Sequence, residues 1–466
     1  APEKAGRPPA APGTTERQHV HTLDETLATT TLQAAIDDAA ASGGGTVVVP
    51  AGTHRTGALR LRSHVELHLE AGARLEFVPD PALYPPVEAR WEGASSTIHQ
   101  PCVYAHGETD VAITGRGTID GGGAAWWDTF RHDRESLAHP RPTLVGIHEC
   151  TRVTIRDVTL TNSPAWTVHP LLCEDVSVSG VRIHNPADSP NTDGINPESC
   201  RNVRISDCHI DVGDDCIAIK AGTERTAERV PCENITITGC TMVHGHGGVV
   251  LGSEMSGGIR NVVITGCVFS GTDRGIRLKS RRGRGGVVED VRVANVIMDG
   301  VLCPFVINPF YFCGPDGKEP WVGDRSPHPV DDRTPAFRRI HLAHVTARGV
   351  HAAAAHLYGL PEAPLSEITL DDVAISFAED AEPGVPAMAA GVEAVARAGI
   401  RVGYLADSAF TRVRVVGAVG PEVTAEASPT LRLTDVTGRI ERDDTGVSRA
   451  SSTPATEQAT REEHLA

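Results

Sequence analysis

Apolar and polar residues alternate in short runs that recur along most of the chain, and every run has the same form. Two short stretches with apolar residues at alternate positions flank a small bend, which predicts two β-strands joined by a turn. The copies follow one another at roughly 23–32 residues through the middle of the chain, which is typical of a stacked solenoid. They read DVAITGRGTI (110–119), RVTIRDVTL (152–160), DVSVSGVRI (175–183), NVRISDCHI (202–210), NITITGCTM (234–242), NVVITGCVF (261–269), DVRVANVIM (290–298), RIHLAHVTA (339–347) and EITLDDVAI (367–375).

A repeat this short is nearly all strand and turn, so it has no room for the crossover helix of an α/β unit. Coiling the strands into rungs about 4.8 Å apart lets each rung pair with the previous one, with like residues stacked inside. The pattern therefore predicts an all-β protein with a parallel β-helix. A short helix over residues 31–41, ended by the glycines at 43–45, is expected to cap the open N-terminal edge.

The domain organisation follows from where this pattern begins and ends. Residues 1–18 are rich in Pro, Ala and charge, and residues 441–466 are polar and rich in Ser, Thr and Glu. Such composition is typical of disordered tails. We therefore predict one β-helix domain over residues 19–440 between two disordered tails.

A third short strand follows each strand pair in the central repeats, and polar residues cluster on it or just before it. Because these segments occupy the same phase of the repeat, coiling should bring them onto adjacent rungs of one face. The segments are WTVHPLLC (166–173), DGINPES (193–199), DCIAIKAG (215–222), GGVVLGSE (247–254), RGIRLKS (274–280) and FVINPFYF (305–312). The polar residues are Asn191, Asp193, Asp214, Asp215, His246, Arg277, Lys279 and Tyr311.

Three of these residues are carboxylates that would meet on adjacent rungs. Glycoside hydrolysis needs one protonated acid for the leaving oxygen and one carboxylate base for water. Crowded carboxylates can supply both states, because like charges raise the pKa of one member. A Gly-Asp-Asp run alone is more often a turn, but Asp193 in the same phase of the preceding repeat favours a catalytic site built from Asp193, Asp214 and Asp215.

Cationic residues follow the aspartates along the same face. His246 lies one repeat later between glycines, and Arg277 and Lys279 are two residues apart on one strand, so both point to the same side. Arg274, Arg281, Arg282 and Arg284 were expected to extend this pair into a basic patch. Since the net charge is −17, such a patch predicts a sugar carboxylate bound by Arg and Lys.

The overall charge and composition exclude other partners. A net charge of −17 argues against nucleic acid, and no apolar run approaches the roughly 18 residues of a membrane span. The 11 cysteines are odd in number and no spacing resembles a zinc site. Cys208, Cys240 and Cys267 recur at one repeat position, which favours small buried side chains over a disulfide framework.

Four blocks in order resemble the signature of glycoside hydrolase family 28, the polygalacturonases: SPNTDGIN (189–196), GDDCIAIK (213–220), GHGG (245–248) and RGIRLKS (274–280). Further similarity lies in residues 43–59, 117–127 and 159–170. The resemblance implies a right-handed parallel β-helix that hydrolyses an anionic polysaccharide, polygalacturonate, with inversion and without metal or other cofactor. It also implies a secreted or periplasmic location, although the chain shows no signal segment.

The resemblance also implies roles for the clustered residues. Asp214 would be the general acid, while Asp193 and Asp215 would activate water. His246 would support the acid, Arg277 and Lys279 would bind a galacturonate carboxylate, and Asn191 and Tyr311 would contact sugar. The segment at 251–262 resembles the bacterial and plant-like branch, which favours exo action; the loops at 78–108, 120–143 and 312–336 are the candidates for closing the cleft.

Three alternatives remain open at this point. A rhamnogalacturonan or xylogalacturonan hydrolase of the same family would share the catalytic residues. A calcium-dependent pectate lyase would use the same solenoid but needs clustered carboxylates as calcium ligands. A non-catalytic glycan-binding β-helix would bind without turnover. Nothing in the sequence predicts the oligomeric state.

Overall fold

The computed structural model describes residues 17–19, 27–314 and 316–443. Most of the two predicted tails lies outside these residues. Where the tails are described they are paired strands, Arg17–His19 and Ile440–Asp443, so residues 17–18 and 441–443 were wrongly assigned to tails. No helix in the described ranges combines the length and apolar character needed to cross a bilayer.

The described chain consists almost entirely of short strands. The N-terminal elements are β1 (Arg17–His19), α1 (Thr29–Ala41), β2 (Gly45–Val49), β3 (Gly52–Thr56), β4 (Leu59–Arg60), β5 (Val65–Leu69), β6 (Ala73–Phe77), a 3₁₀ turn (Pro81–Leu83), β7 (Pro86–Trp91), β8 (Ala94–His99), β9 (Val103–His106), β10 (Thr109–Gly115), β11 (Thr118–Asp120), α2 (Gly123–His132) and a 3₁₀ turn (Arg134–Ser136). The central strands are β12 (Val145–His148), β13 (Thr151–Arg156), β14 (Thr159–Thr161), β15 (Val168–Leu171), β16 (Glu174–Ser179), β17 (Arg182–His184), β18 (Arg201–Ser206), β19 (His209–Val212), β20 (Asp215–Ile219), β21 (Cys232–Thr238), β22 (Thr241–His244), β23 (Gly247–Leu251), β24 (Ile259–Thr265), β25 (Val268–Ser270), β26 (Arg274–Lys279), β27 (Val287–Asp299) and β28 (Cys303–Asn308). The C-terminal elements are α3 (Pro320–Gly323), β29 (Ala336–Val350), β30 (Ala353–Tyr358), β31 (Leu365–Phe377), β32 (Ala398–Gly403), β33 (Leu405–Ala406), β34 (Ala409–Val416), β35 (Val423–Glu426), β36 (Arg432–Val436) and β37 (Ile440–Asp443).

These strands form a parallel β-helix, as the repeat predicts, and the coil is right-handed, as the resemblance implies. The first strand of each repeat pairs in parallel with the first strand of the next, and the second strands pair in the same way. The third segments form another parallel face, β4-β9-β12-β15 and then β20-β23-β26-β28-β30-β32-β35-β37. Single bridges through Ile195 join its two parts, because Ile195 pairs with both Val168 and Ile217. All six predicted third segments therefore lie on one face.

The interior of the coil holds the apolar positions of the repeats. Val176, Val203, Ile235, Val262 and Val291 occupy one position on successive rungs and are all at most 1% exposed. Each buried side chain of this size contributes about 1.5–3 kcal/mol relative to an exposed one. The alternation in the sequence thus fixes the register, since a slip by one residue would turn every one of these side chains outward.

Helix α1 covers the N-terminal edge of the coil, as predicted, although it begins two residues earlier. Leu32, Ile36 and Ala39 lie on one face at helical spacing and are buried against the first strands. The helix ends where Gly43 and Gly44 adopt positive φ values of 94° and 117°. A Cβ at Gly44 would lie 2.6 Å from the carbonyl oxygen of His64, so only glycine fits this close approach.

A column of asparagines explains why several repeats begin with Asn. Asn202, Asn234 and Asn261 each have φ near +58°, a left-handed conformation that Asn tolerates well. The Asn261 amide donates to Asn234 Oδ1 at 3.0 Å, and Asn234 donates to Asn202 Oδ1 at 3.1 Å. Turn conformation and side-chain bonding thus reinforce the same register from rung to rung.

Cysteines form similar interior columns, and none of the eleven forms a disulfide. The backbone N–H of Cys150 donates to Cys173 Sγ, Cys173 to Cys200 Sγ and Cys200 to Cys232 Sγ, each at 3.4 Å. Cys208, Cys240 and Cys267 are also buried at one repeat position, which confirms the prediction of small buried side chains.

Candidate active site

The third face carries a cleft, and all eight predicted site residues line it. The register explains how residues distant in sequence meet there. Ile195 pairs with Ile217, and Ile217 pairs with Val249, so Asp193, Asp215 and Gly247 hold one lateral position on three successive rungs. Arg277 and Lys279 follow on the next rung, β26. Tyr311 lies just after β28.

The three aspartates form a compact cluster at the centre of the cleft. One carboxylate oxygen from each lies within 4.8 Å of one from each of the others. Asp193 and Asp215 are buried, whereas Asp214 at the bend before β20 is partly exposed to the cleft. The proximity expected from the repeat is therefore present in the structure.

Asp193 is the member of the cluster whose environment favours a proton. Burial raises the pKa of its carboxyl well above the usual value, and the nearby Asp214 raises it further, while Lys220 acts in the opposite direction. Asn196 donates a hydrogen bond to Asp193 Oδ2 at 2.9 Å and fixes the carboxyl orientation. A proton held among the three carboxyl groups therefore has a favourable place on Asp193.

Asp215 has the opposite electrostatic character. Burial alone would raise its pKa, but Lys279 and Arg277 outweigh that effect and lower the pKa below the usual range. Lys279 Nζ lies 2.8 Å from Asp215 Oδ2, and Arg277 Nη1 lies 3.3 Å from Oδ1. Asp215 therefore stays ionised beside Asp193, and the pair offers two protonation states a few ångströms apart.

His246 contacts the third aspartate. Its Nδ1 lies 3.2 Å from Asp214 Oδ1. Burial would lower the pKa of this imidazole, but Asp214 outweighs burial and the pKa is raised. The backbone bends tightly here because Gly245 has a positive φ of 75° and a Cβ at that position would collide with the carbonyl oxygen of Asp214.

The remaining predicted residues lie around the aspartates. Tyr311 faces the two cations, with Lys279 Nζ 5.1 Å and the Arg277 guanidinium carbon 5.8 Å from its ring centre. Asn191 is on the opposite side of the cleft, where its Oδ1 accepts a 2.7 Å hydrogen bond from Arg141. Arg141 is buried, so this hydrogen bond fixes the side chain of Asn191 where it lines the cleft.

The predicted basic patch is largely wrong. Of its four added arginines, only Arg284 lines the cleft. Arg282 is buried and forms two bonds with Glu362 at 2.6 and 3.0 Å, and Arg281 bonds Glu224 at 2.7 Å. Arg274 donates to the carbonyl oxygen of Val385 at 2.7 Å. These three arginines hold surrounding loops in position, and the repeat pattern does not predict where those loops lie.

Eight further residues line the cleft and were not predicted, namely Glu92, Trp166, Lys220, Ser253, Glu254, Cys313, Gly314 and Met388. The position of Lys220 could have been predicted, because Lys220 follows β20 in the same phase of the repeat as Lys279 on β26. Trp166 also lies on a third segment, in register with Asp193. Glu92 had no such signal, since it lies at the tip of an antiparallel hairpin, β7–β8, outside the repeat.

The β7–β8 hairpin reaches over the N-terminal end of the cleft and is held there at its tip. Trp91 stacks on Trp166 with ring centres 5.0 Å apart, and the hydroxyls of Thr223 and Thr226 both donate to the carbonyl oxygen of Gly93. On the strand before the tip, Arg90 donates to Ser199 Oγ at 3.1 Å. The hairpin therefore bounds the cleft beside Trp166, Thr223 and Thr226.

A parallel β-helix with clustered carboxylates in an open cleft is the architecture of a polysaccharide-acting glycoside hydrolase. The family model for glycosyl hydrolases family 28 matches residues 44–383. The chain belongs to this family.

Individual relatives agree with this assignment. A probable polygalacturonase of Vitis vinifera is 35% identical over 344 residues, which cover 72% of this chain and 67% of that protein. An endo-polygalacturonase of Pectobacterium carotovorum subsp. carotovorum is 32% identical over 303 residues, 62% of this chain and 73% of that protein. The crystal structure of a hyperthermoactive exopolygalacturonase from Thermotoga maritima matches with a TM-score of 0.67 and 31% identity, covering 76% of this chain and 84% of that one.

Proposed function

We propose that the protein hydrolyses the α-1,4 linkages of polygalacturonate and its oligomers from one chain end. The observation that carries this proposal is the placement of three carboxylates within 4.8 Å of one another beside Arg277 and Lys279. The carboxylates match the needs of glycoside hydrolysis, and the two cations match the carboxylate of a galacturonate unit. The names of the similar proteins support the same substrate.

The proposed roles follow the family resemblance and fit the local electrostatics. Asp214, which is open to the cleft and bonded to His246, would protonate the leaving oxygen. Passage of the Asp193 proton to Asp214 would prime the acid, and Asp193, then ionised, would together with Asp215 take a proton from the attacking water. A carboxyl with a raised pKa, such as Asp193, accepts that proton readily. Transfer from Asp193 to Asp214 across the cluster then restores the acid for the next turnover.

Inversion of the anomeric configuration is proposed from the family resemblance alone, because the spacing of the carboxyl groups does not support it. Paired carboxyl groups are typically about 6.5–9.5 Å apart in inverting enzymes and about 5–5.5 Å apart in retaining ones. The spacing here is nearer the retaining range. Proton NMR of the first product formed decides the matter: initial β-galacturonate means inversion, and initial α-galacturonate removes it from the proposal.

The bounded end of the cleft supports exo action. With Arg277 and Lys279 on the leaving-group side, as the resemblance implies, the β7–β8 hairpin lies on the non-reducing side. A chain that ends against the hairpin would present only its terminal bond to the aspartates. The exopolygalacturonase from Thermotoga maritima is similar in sequence as well as fold.

A calcium-dependent lyase is disfavoured by the same cations. The three aspartates could offer oxygens to a metal ion. However, Lys279 and Arg277 lie 2.8 and 3.3 Å from Asp215, and Lys220 lies 3.8 Å from Asp193. These fixed positive charges repel a divalent cation and already balance the carboxylates.

The test is digestion of polygalacturonate and rhamnogalacturonan in separate reactions, with products resolved by size. We expect monomeric galacturonate from the first time point, new reducing ends without ultraviolet absorbance, and no effect of a chelator. Turnover of rhamnogalacturonan alone would support the decorated-backbone alternative. Unsaturated products lost on chelation would support the lyase, and saturable binding without turnover would support the glycan-binding alternative.

A shortened hairpin tests the exo assignment separately. Residues 89–96 are replaced by Asn-Gly, which joins the paired positions Glu88 and Thr97 by a tight turn. We expect oligomers to appear among the products while hydrolysis continues. If the product remains monomer alone, the hairpin does not set the mode of action.

We also propose that the protein acts outside the cytoplasm, because that is where an enzyme meets a polymeric substrate.

A further inference from the structure

Lys220 occupies the same lateral position as Lys279 but lies two rungs nearer the N-terminal end, with its ammonium group close to Asp193 rather than Asp215. Ile219 pairs with Leu251, and Leu251 pairs with Leu278. The residues that follow, Lys220 and Lys279, are therefore in register two rungs apart, or about 10 Å along the coil. Gly252 lies between them on the intervening rung and adds no side chain to the space.

The surroundings of Lys220 combine a counter-ion with contact to the catalytic cluster. Its Nζ lies 3.2 Å from Glu254 Oε2, 3.8 Å from Asp193 Oδ2 and 4.8 Å from the centre of the Trp166 ring. An ammonium group has three N–H donors. Glu254 accepts one of them, while Asp193 lies beyond hydrogen-bond distance. Lys220 thus retains donor capacity and lines the cleft.

Lys220 is charged under all conditions in which a sugar acid would be bound. Burial would lower its pKa, but Glu254, Asp193 and Asp215 outweigh burial and raise the pKa above its usual value. Glu254 is ionised as well, since Lys220 and Arg284 bring the pKa of this buried carboxyl to about 2. The cleft therefore contains a fixed cation on each side of the aspartates.

The space around Lys220 is also limited on its outer side. Trp91 stacks on Trp166, and Glu92 at the hairpin tip lines the same end of the cleft. A sugar between Asp193 and the hairpin would be the last unit of its chain. Its C6 carboxylate is the one group on that unit that would distinguish galacturonate from galactose, and Lys220, the lining cation that lies 3.8 Å from Asp193, could bind it.

We propose that Lys220 binds the carboxylate of the terminal sugar on the non-reducing side of the cleaved bond, with Glu254 as its internal counter-ion. The proposal rests on the proposed function and deepens it. Lys279 and Lys220 then form a matched pair, each selecting an acidic sugar on its own side of the bond.

The experiment compares three defined trisaccharides: trigalacturonate, the analogue with galactose at the non-reducing end, and the analogue with galactose as the unit next to it. For the wild type we expect each replacement to lower kcat/KM by about 10- to 100-fold, the range for a hydrogen bond to a charged group. Lys220→Met should lower kcat/KM for trigalacturonate and abolish the discrimination against the terminal galactose analogue only. Lys279→Met, the matched control, should abolish discrimination against the second analogue only.

Ratios between substrates separate recognition from a structural or proton-transfer role. If Lys220 only orders Asp193, the Lys220 variant slows all three trisaccharides by the same factor and the ratios do not change, which overturns the proposal. A wild type that does not distinguish the terminal analogue overturns it as well. Absence of any hydrolysis of trigalacturonate by the wild type refutes the proposed function instead.

A second variant protects the test against misfolding. Lys220→Met removes the ion-pair partner of Glu254 and the cation 3.8 Å from Asp193, which could destabilise the protein. Lys220→Gln keeps a donor for Glu254 but removes the charge. It should fold as the wild type in thermal unfolding and show the same loss of terminal discrimination; full discrimination in a folded Lys220→Gln protein contradicts the assignment.

Discussion

Lys279 Nζ lies 2.8 Å from Asp215 Oδ2, although the two residues belong to strands two rungs apart. The lysine side chain spans the intervening rung, where Gly247 faces Asp215 without a side chain of its own. A Cβ at Gly247 would lie 3.2 Å from Asp215 Oδ1 and would collide with a Val250 methyl group. The ion pair between Lys279 and Asp215 therefore requires glycine at position 247 on the strand between them.

Replacing Lys279 should change both the pH dependence and the substrate affinity. The folded-state pKa of Asp215 is lowered, so the ion pair stabilises the fold above the unfolded pKa of about 3.9, and this contribution is lost as the pH falls through the lower folded value. In Lys279→Met the pKa of Asp215 rises because only Arg277 remains beside it. We expect the acidic limb of the kcat/KM profile to move to higher pH and KM to increase.

The measurement is a pH–rate series with trigalacturonate for the wild type and the variant. Lys318→Met, which changes an exposed lysine, is the control for the loss of one positive charge. An acidic limb that coincides in wild type and Lys279→Met would show that the ion pair does not control the ionisation of Asp215.

The three clustered aspartates, to which we assign the proton transfers, give the second prediction. Asp193→Asn, Asp214→Asn and Asp215→Asn should each lower kcat by at least about 100-fold, because each removes a group that donates or accepts a proton. Asp299→Asn, on the outer surface at the end of β27, is the matched control and should leave kcat unchanged. Single-turnover kinetics with trigalacturonate separate chemistry from binding. Near-wild-type turnover in any folded variant removes that residue from the mechanism.

The repeat allowed much of this site to be predicted from the sequence. Alternating Val and Ile residues determine which side of each strand faces inward, and the constant rung spacing then places residues of equal phase side by side. For this reason the sequence predicts that Asp193 lies beside Asp215, and that Arg277 and Lys279 point to the same side. Lys220 obeys the same rule, since it shares the phase of Lys279, and its place in the cleft was predictable in the same way.

What lies outside the repeat could not be predicted in this way. The stacking of Trp91 on Trp166 depends on where the β7–β8 hairpin folds back, and no periodic pattern determines that. Arg281 and Arg282 were wrongly expected in the cleft for the same reason. Their partners Glu224 and Glu362 lie on loops whose positions depend on the packed structure rather than on local sequence.

The pairing of His246 with Asp214 predicts a stability difference that depends on pH. The pKa of His246 is raised in the folded state, so the pair stabilises the fold fully below the unfolded pKa of about 6.5 and loses this effect as the pH rises through the higher folded value. His246→Gln should therefore lower Tm more at pH 5 than at pH 9. Thermal unfolding across this range tests the sign, with His132→Gln as the exposed control on α2. An equal or larger loss at pH 9 contradicts the assignment.

Cys313 gives the last prediction, because it is the one cysteine that is partly exposed and it lines the cleft near Tyr311. The other ten are buried, and an alkylating reagent reaches a thiol only when that thiol is accessible. Iodoacetamide should therefore modify one thiol in the native protein and all eleven in denaturant, as mass spectrometry would count them. The added group would occupy the cleft beside Tyr311, so we expect alkylation to raise the KM for substrate. Bound oligogalacturonate should slow the alkylation, and the activity of Cys313→Ser should not change on treatment with iodoacetamide. Modification of several thiols in the native protein, or a Cys313→Ser variant that is still inhibited, would contradict the burial of the cysteine columns.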